Sequence, residues 1–381
     1  MELSGTLTTD KTLSSNIKYI VIGDYKVSSG ATLTIEGGTQ IHFLPKVDAM
    51  GTGYNFIRSE ILVEGTMRIN GLVTRPVVFR SDELLTPENH DYFGIIVKPQ
   101  GIVSVVNSNF YHASNVFRCE GGTLTVNNCI FDNCQLVGDI RDDSNFQFEG
   151  NTIINCVSGL EFRFVKLSNV LRNYFADINS NAITIYTSSP LIYGNIFLRQ
   201  GNTAVHINGA SYPTVANNLI ISSDFTGINV SKSGNPKIVQ NIIDRSSTYG
   251  IYLWSGSKPE IENNILTLNG IGVAFRNETF FKYDNNNCFD SVLSHYFNLD
   301  KKNDLIVTGT SEIFFHTLPN IYNLPVEYKN ANFNMPNNGD FTLVDESVLL
   351  NYGLDSKPIG LMHPLDVGTA AVNLGKEVED F

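Results

Sequence analysis

Two sets of side chains in the middle of the chain are of types that do chemistry, and both recur about 22 residues apart. Asp139 and Glu161 are carboxylates at this spacing, and Arg163 follows. If the carboxylates lie side by side, they could divide the acid and nucleophile roles of glycoside hydrolysis, since a retaining pair stands about 5 Å apart. Arg118 and Arg141 share the stretch, however, and a ladder of opposite charges is an ordinary way to stabilise neighbouring strands. We prefer the ladder, so these residues are catalytic candidates only if the protein is an enzyme.

The second set is aromatic and polar. It consists of Tyr186, His206, Asn208, Asn229, Tyr252, Trp254 and Arg276. An exposed indole can stack on the apolar face of a sugar ring while amides bond the hydroxyl groups. Tyr, Trp and Arg are also enriched at protein interfaces, and burial under a capping loop is a third interpretation. We predict a carbohydrate-binding face here.

A regular period positions both sets. Four of the 13 prolines stand 23 residues apart: Pro190, Pro213, Pro236 and Pro259. A column of asparagines runs in step with them: Asn128, Asn151, Asn173, Asn195, Asn218, Asn241, Asn264 and Asn287. A fixed period of this length is typical of proteins built from stacked repeats.

Each period reads as one coil of a parallel β-helix. It holds three short alternating segments separated by Gly, Ser, Pro and Asn, which predicts strands joined by turns. Two apolar columns, two residues apart, would point inward and stack at about 4.8 Å per coil. The first column is Leu160, Ile183, Val205, Ile228, Ile251 and Val273, and the second is Phe162, Ile185, Ile207, Val230, Leu253 and Phe275.

The first third of the chain resembles a known family. Residues 27–43 read VSSGATLTIEGGTQIHF, residues 61–67 read ILVEGTM and residues 76–81 read PVVFRS. These segments resemble the opening coils of right-handed parallel β-helix repeat proteins of the pectin-lyase-like superfamily, and GDFTL at 339–343 resembles a closing segment. The resemblance implies an all-β, single-stranded right-handed parallel β-helix with about 11–12 coils, capped at both ends. The superfamily mixes lyases, hydrolases, adhesins and phage proteins, so it implies a fold rather than a function.

We predict an N-terminal cap at 1–20, the β-helix at 21–289, and a C-terminal capping region and tail at 290–381. Residues 45–59 and 81–92 are predicted excursions from the stack.

The net charge of −12 argues against nucleic acid or an anionic membrane as partner. The N-terminus has no signal peptide pattern. The five cysteines make no disulfide framework, although Cys134 and Cys156 are spaced to stack as buried thiols. We expect no metal and no cofactor.

The preferred function is a polysaccharide-binding face on a non-catalytic or weakly catalytic β-helix. Its place would be extracellular, at a cell surface or on a virion, and its partner a polysaccharide or cell-surface glycan. One alternative is a structural virion or surface-assembly component that meets other subunits through the C-terminal region. The other is a glycoside hydrolase or polysaccharide lyase, although the motifs of polygalacturonase-type hydrolases are absent. A homotrimer is also considered, since trimers are common among phage β-helices.

Overall fold

A computed structural model describes residues 1–300 apart from 84, 232, 277, 278, 280, 281, 285 and 290, together with 333–335, 340–343 and 360. Within these residues the regular elements are all β-strands, which stack as about 12 turns of a right-handed parallel β-solenoid. The predicted fold class is therefore confirmed. The chain forms two compact units: unit 1 is Met1–Asn169 with Phe175–Asn179, and unit 2 is Val170–Tyr174 with Ser180–Phe381.

Unit 1 contains the first eighteen strands. They are β1 (Glu2–Leu7), β2 (Lys11–Leu13), β3 (Lys18–Val27), β4 (Thr32–Glu36), β5 (Gln40–Phe43), β6 (Glu60–Val63), β7 (Thr66–Asn70), β8 (Val77–Ser81), β9 (Gly94–Val97), β10 (Ile102–Val106), β11 (Ser108–Tyr111), β12 (Phe117–Glu120), β13 (Thr123–Asn127), β14 (Ile130–Asp132), β15 (Leu136–Arg141), β16 (Asn145–Glu149), β17 (Thr152–Ile154) and β18 (Ser158–Arg163). Two short strands, β19 (Ser168–Leu171) and β20 (Tyr174–Ile178), contain residues of both units.

Unit 2 contains the remaining strands. They are β21 (Ile183–Tyr186), β22 (Leu191–Tyr193), β23 (Ile196–Gln200), β24 (Thr203–Asn208), β25 (Thr214–Ala216), β26 (Leu219–Ser223), β27 (Thr226–Val230), β28 (Lys237–Val239), β29 (Ile242–Asp244), β30 (Tyr249–Leu253), β31 (Glu260–Glu262), β32 (Ile265–Thr267), β33 (Ile271–Phe275), β34 (Lys282–Asp284), β35 (Asn287–Phe289), β36 (Ser294–Asn298), β37 (Phe333–Met335) and β38 (Asp340–Leu343). All but the last two pair in parallel; β37 and β38 are antiparallel.

The inward columns are confirmed in unit 2. Ile183 pairs with Val205, Val205 with Ile228, Ile228 with Ile251, and Ile251 with Val273 in successive coils. The second column follows the same register, and the members of both columns are buried. This core is largely aliphatic, because β-branched side chains fit a pleated surface that is packed on its inner side.

The core of unit 1 is richer in aromatic rings. Phe79, Phe110 and Phe131 occupy one position in successive coils, and their ring centroids lie 4.8 and 5.2 Å apart in stacked geometry. Cys134 and Cys156 are both buried, and the backbone N–H of Cys134 donates to Cys156 Sγ at 3.4 Å, so the predicted stacking of these thiols is confirmed.

A ladder of buried asparagines runs through unit 2. The side-chain amide of each member donates to the next Oδ1 at 2.8–3.0 Å, along Asn173, Asn195, Asn218, Asn241, Asn264 and Asn286. Each Oδ1 also accepts the backbone N–H of the preceding member, as from Asn218 to Asn241 at 3.0 Å. The ladder therefore satisfies amides that the turns would leave buried without partners.

Both ends of the predicted asparagine column are displaced by one residue. The ladder ends at Asn286 and not at Asn287, and in unit 1 it is Cys129, not Asn128, whose N–H bonds Asn151 Oδ1 at 2.9 Å. At the N-terminal end the reason is that the residue before a ladder position makes the sharp turn, whereas Asn287 follows the ladder position Asn286 and lies in β35. Asn128 and Asn263 lie before ladder positions, with left-handed φ values of 54° and 55°.

The irregular segments were predicted well. No residue of 44–59 or 82–93 is in a strand, apart from residue 84, which is not described, so both excursions leave the stack. Strand β1 already pairs in parallel with β3 in unit 1, and β36 pairs in parallel with β33 in unit 2, so parallel pairing includes residues near both predicted caps. Most of the predicted C-terminal capping region, 301–332, 336–339, 344–359 and 361–381, lies outside the described residues.

Candidate functional site

All seven predicted sugar-binding residues lie in unit 2, on the outward side of strands β21, β24, β27, β30 and β33 or directly after them. In one row, His206 pairs with Asn229 and Asn229 with Tyr252. In the next row, Tyr186 pairs with Asn208. We call the surface formed by Tyr186, His206, Asn208, Asn229, Ser231, Tyr252, Trp254 and Arg276 the aromatic face.

Trp254 is held at both its edge and its ring. Its Nε1–H donates to Asn229 Oδ1 at 3.1 Å. The guanidinium of Arg276 lies over the indole, 5.2 Å from the centroid, and Arg276 Nε donates to the Tyr252 hydroxyl at 3.0 Å. Arg276 also pairs with Asp300 at 3.0 Å. The half-buried indole is thus fixed in one orientation by its neighbours.

Tyr252 lies on this face but is covered. Only 4% of it is exposed, because rings from its own coil and from the preceding coil pack around it. Tyr249 lies 4.8 Å from it and Trp254 5.1 Å, and Phe225 meets it edge-on at 6.5 Å. Tyr252 therefore supports Trp254 from beneath, and contributes little surface of its own.

The polar members of the aromatic face form neutral hydrogen-bonding groups. His206 Nε2 lies 3.0 Å from Ser231 Oγ, and burial lowers the pKa of His206, so the imidazole is uncharged at pH 7. Asn208 Oδ1 accepts the N–H of Gly209 at 2.8 Å. These half-buried side chains offer donors and acceptors of the kind that hydroxyl groups need.

The carboxylate candidates lie in unit 1, where β12, β15 and β18 stack in register. Arg118 pairs with Asp139 and Asp139 with Glu161 along one row. Glu120 and Arg141 pair along the next row, and Arg141 with Arg163. We call these six residues the charge ladder.

Opposite charges bind one another throughout the charge ladder. Asp139, whose side chain is 4% exposed, receives Arg141 Nε at 2.7 Å and faces Arg118 Nη1 at 3.7 Å. Glu161 receives Arg163 Nη2 at 2.6 Å. A carboxylate enclosed by two guanidinium groups is poorly placed to reach a substrate, so the arrangement supports the structural interpretation of the pair.

Two residues that the sequence did not predict, Lys98 and Tyr54, also contact the charge ladder. Lys98 Nζ donates to Glu120 Oε2 at 3.1 Å, and Arg118 Nε donates to Glu120 Oε1 at 2.6 Å. Tyr54 also donates to Glu120, and its ring lies 4.3 Å from Lys98 Nζ and 4.4 Å from Arg118 Cζ. Burial alone would raise the pKa of Glu120, but the bonds from Tyr54, Arg118 and Lys98 outweigh it and lower the pKa.

A sequence signal for Lys98 existed, because it stands 22 residues before Glu120 in the same outward row. No sequence pattern pointed to Tyr54, since this residue belongs to a long excursion that lies outside the 22- to 23-residue repeat. The same holds for Glu60, which is buried beneath that excursion beside Asp24, and whose pKa is raised to about 7 by burial.

Within the part of the chain that the structure describes, no group of three or more His, Cys, Asp or Glu side chains is arranged to hold a metal ion. The described residues also contain no helix long and apolar enough to cross a membrane.

Comparisons with known proteins identify the fold. The family described as "right handed beta helix region" matches residues 93–242 and 167–313, and a "pectate-lyase like beta helix domain" matches residues 5–128. No curated protein matches the sequence.

Solved structures are also similar to parts of this chain. A variant of the periplasmic alginate epimerase AlgG is 12% identical with a TM-score of 0.47, covering 77% of this chain and 76% of its own. PfbA, a surface adhesin of Streptococcus pneumoniae, is 13% identical with a TM-score of 0.44, covering 71% of this chain and 82% of its own. Similarity at this level carries no information about activity.

Proposed function

The chain belongs to the right-handed β-helix family, whose fold hosts many functions, and on this scaffold we propose a non-catalytic protein that binds polysaccharide through its aromatic face. The observation that carries the proposal is the fixed ring of Trp254. Asn229 and Arg276 hold the indole before any ligand arrives. A ligand that contacts the exposed part of a ring already held in place meets a smaller entropic cost on binding.

The polar groups beside Trp254 suit a sugar. His206, Ser231 and Asn208 are uncharged and half-buried, and they follow the indole along neighbouring coils. A rigid row of this kind suits a polymer, because successive sugar rings can meet successive coils. The proposed partner is a polysaccharide or cell-surface glycan, and the proposed place is extracellular, at a cell surface or on a virion.

The test is binding of the purified chain to a panel of immobilised polysaccharides. We expect Trp254→Ala to weaken binding at least tenfold, since aromatic anchors of an interface often contribute about 2 kcal/mol. Asn208→Ala should weaken it less, without removing a ring from the face. Tyr212→Ala is the matched control, because this tyrosine is 59% exposed in unit 2 but lies in the turn between β24 and β25.

Binding that survives both Trp254→Ala and Asn208→Ala, or that falls equally in Tyr212→Ala, would count against the aromatic face as the site. Circular dichroism of each variant separates loss of binding from loss of fold.

A second candidate is a structural subunit of a virion or surface assembly. The supporting observation is the apolar character of the outer surface near Tyr252, where Phe225, Tyr249, Trp254, Phe297 and Leu299 pack together. A neighbouring subunit could cover these rings, and a homotrimer is one such arrangement. A stoichiometric place in a purified particle, with no glycan binding, would favour this candidate. Glycoside hydrolase or lyase activity is not part of the proposal, because Asp139 is enclosed by arginines.

A further inference from the structure

The excursion at residues 44–59 is anchored on a cluster of carboxyl groups in unit 1. Asp48 Oδ1 accepts the N–H of Asp24 on β3 at 3.2 Å and that of Met50 at 2.9 Å. Thr52 Oγ1 donates to Asp24 Oδ2 at 2.5 Å, and Glu60 N donates to Asp24 Oδ1 at 3.2 Å. The base of the excursion therefore rests on three acidic side chains: Asp24, Asp48 and Glu60.

Glu60 is the innermost of the three. It is 0% exposed; its Oε1 accepts the N–H of Tyr54 at 2.7 Å, while Oε2 is buried with no hydrogen-bond partner. Gly53 passes directly above it, since a Cβ at that residue would come within 2.0 Å of Oε1. Water cannot reach this carboxyl group while the excursion is in place.

The outer end of the same excursion covers part of the charge ladder. Tyr54 donates to Glu120, receives Lys98 Nζ at 2.8 Å, and places its ring against Lys98 and Arg118. The backbone N–H that holds Glu60 and the ring that covers these cations belong to one residue. A movement that releases one contact therefore disturbs the other.

We propose that residues 44–59 form a proton-dependent lid, which stays closed while Glu60 carries a proton and opens when Glu60 ionises. Opening would uncover Lys98, Arg118 and Glu120. The physical reason is that an ionised Glu60 would bury a charge beside the carboxyl groups of Asp24 and Asp48, and burying an uncompensated charge is costly.

The pKa shifts set the direction and the range of this dependence. Burial raises the pKa of Glu60 from the ordinary 4.5 to about 7, and burial also raises the pKa of Asp24. A carboxyl group whose pKa is higher in the closed state than in the open state stabilises the closed state. This contribution to the free energy of closure is fully present when the pH lies below the open-state pKa. That contribution is lost as the pH rises through about 7, so the lid should open on the alkaline side.

Other charged groups also face the lid or Glu60. They are Asp24 on β3, Lys46, Asp48 and Arg58 in the lid itself, Glu88, His90 and Asp91 in residues 82–93, Lys98 after β9, and Arg118 and Glu120 on β12. The pKa of Glu120 is lowered, so Glu120 stays ionised from pH 5 to pH 8. Its contact with Tyr54 therefore does not reverse the expected opening of the lid with rising pH.

Hydrogen exchange of the backbone amides of residues 45–58, corrected for intrinsic rates, tests the lid between pH 5 and pH 8. We expect the opening equilibrium to rise towards tenfold per pH unit up to about pH 7 and then to level off, as for release of one proton. Glu60→Gln should abolish this dependence and keep the lid closed. Glu64→Gln is the control, because this carboxylate is 38% exposed and pairs with Lys26 away from the cluster.

A pH-independent lid in the unsubstituted chain, or a dependence that survives Glu60→Gln, would overturn the proposal. If Glu60→Gln does not fold, Asp24→Asn gives an independent test. Removing the Asp24 charge should make an ionised Glu60 less costly, so the rise in the opening equilibrium should end at lower pH and reach a lower plateau. An unchanged profile would also overturn the proposal.

Discussion

The outward strand faces of the two units use the same backbone positions for different purposes. In unit 1 these positions carry the charge ladder, where Asp139 binds Arg141 at 2.7 Å and faces Arg118 at 3.7 Å. In unit 2 they carry the aromatic face, where Trp254 and Tyr252 pack at 5.1 Å between an amide and a guanidinium group.

This difference shows how a stacked coil disposes of its polar outer surface. In unit 1 each of β12, β15 and β18 carries one acidic and one basic side chain that bind one another, so the charge ladder leaves little unpaired charge. In unit 2 the aromatic face is uncharged over most of its area, so its hydrogen-bonding groups and ring remain suited to a neutral ligand. Four substitutions should separate the contributions of the charge ladder and the aromatic face.

The largest effect is expected at the centre of the aromatic face. Tyr252→Ala should destabilise unit 2 by about 3 kcal/mol, as for other buried rings truncated to alanine. Urea unfolding followed by the fluorescence of Trp254, the only tryptophan, reports on this unit directly. Tyr252→Phe keeps the ring and loses only the bond from Arg276 Nε, so it should cost about 1 kcal/mol. Equal effects of the two substitutions would show that packing of this ring is unimportant.

Removal of the central carboxylate of the charge ladder should have the next largest effect. Asp139→Asn leaves Arg118 and Arg141 without a negative partner in a part of the face where Asp139 is buried, and we expect a loss of about 2 kcal/mol. Hydrogen exchange in β15 measures it locally. Asp143→Asn is the control, since its pair with Lys166 is largely exposed and should contribute less than about 0.5 kcal/mol.

Acid should weaken unit 1 through Glu120. Its pKa is held below the ordinary 4.5, so its contribution is present above about pH 4.5 and is lost as the pH falls through its lowered pKa. We expect unfolding free energies measured from pH 6 to pH 3 to fall by about 1 kcal/mol more in the unsubstituted chain than in Glu120→Gln. Parallel pH profiles would show that Glu120 has no such role.

The smallest effect is expected at Glu161. Its pair with Arg163 is partly exposed, so Glu161→Gln should change stability by less than about 0.5 kcal/mol. Any polysaccharide turnover should also be unchanged in this variant and in Asp139→Asn. Turnover that disappears in both would establish an enzyme and give the charge ladder a catalytic role.

The repeating part of this chain was predictable to a fine level. Residues that recur at 22–23 positions, such as Ile228 and Ile251, were assigned correctly to inward columns, because stacked coils force equivalent residues into register. The asparagine ladder was predicted in the same way. Its ends were displaced by one residue, because Asn128 makes the turn before the ladder position and Asn287 lies in the strand after it, and residue type alone shows neither.

The surroundings of the site residues were much less predictable. The sequence placed Tyr252 and Trp254 on the outer side but gave no sign that Phe225 and Tyr249 would cover the first and leave the second half-buried. The burial of side chains on an outer face depends on rotamers and on neighbouring rings of the same and the preceding coil, and the period encodes neither.

By itself the sequence determined the coil, its parallel stacking and the direction of each strand side chain, since all three follow from a period-two pattern within a 22- to 23-residue repeat. Only the tertiary structure decided which polar groups meet. The contact of Tyr54 with Glu120 and the burial of Glu60 under Gly53 depend on an excursion without a period. The physical reason is that the repeat constrains distances along the stack, whereas an excursion finds its contacts through side-chain chemistry in three dimensions.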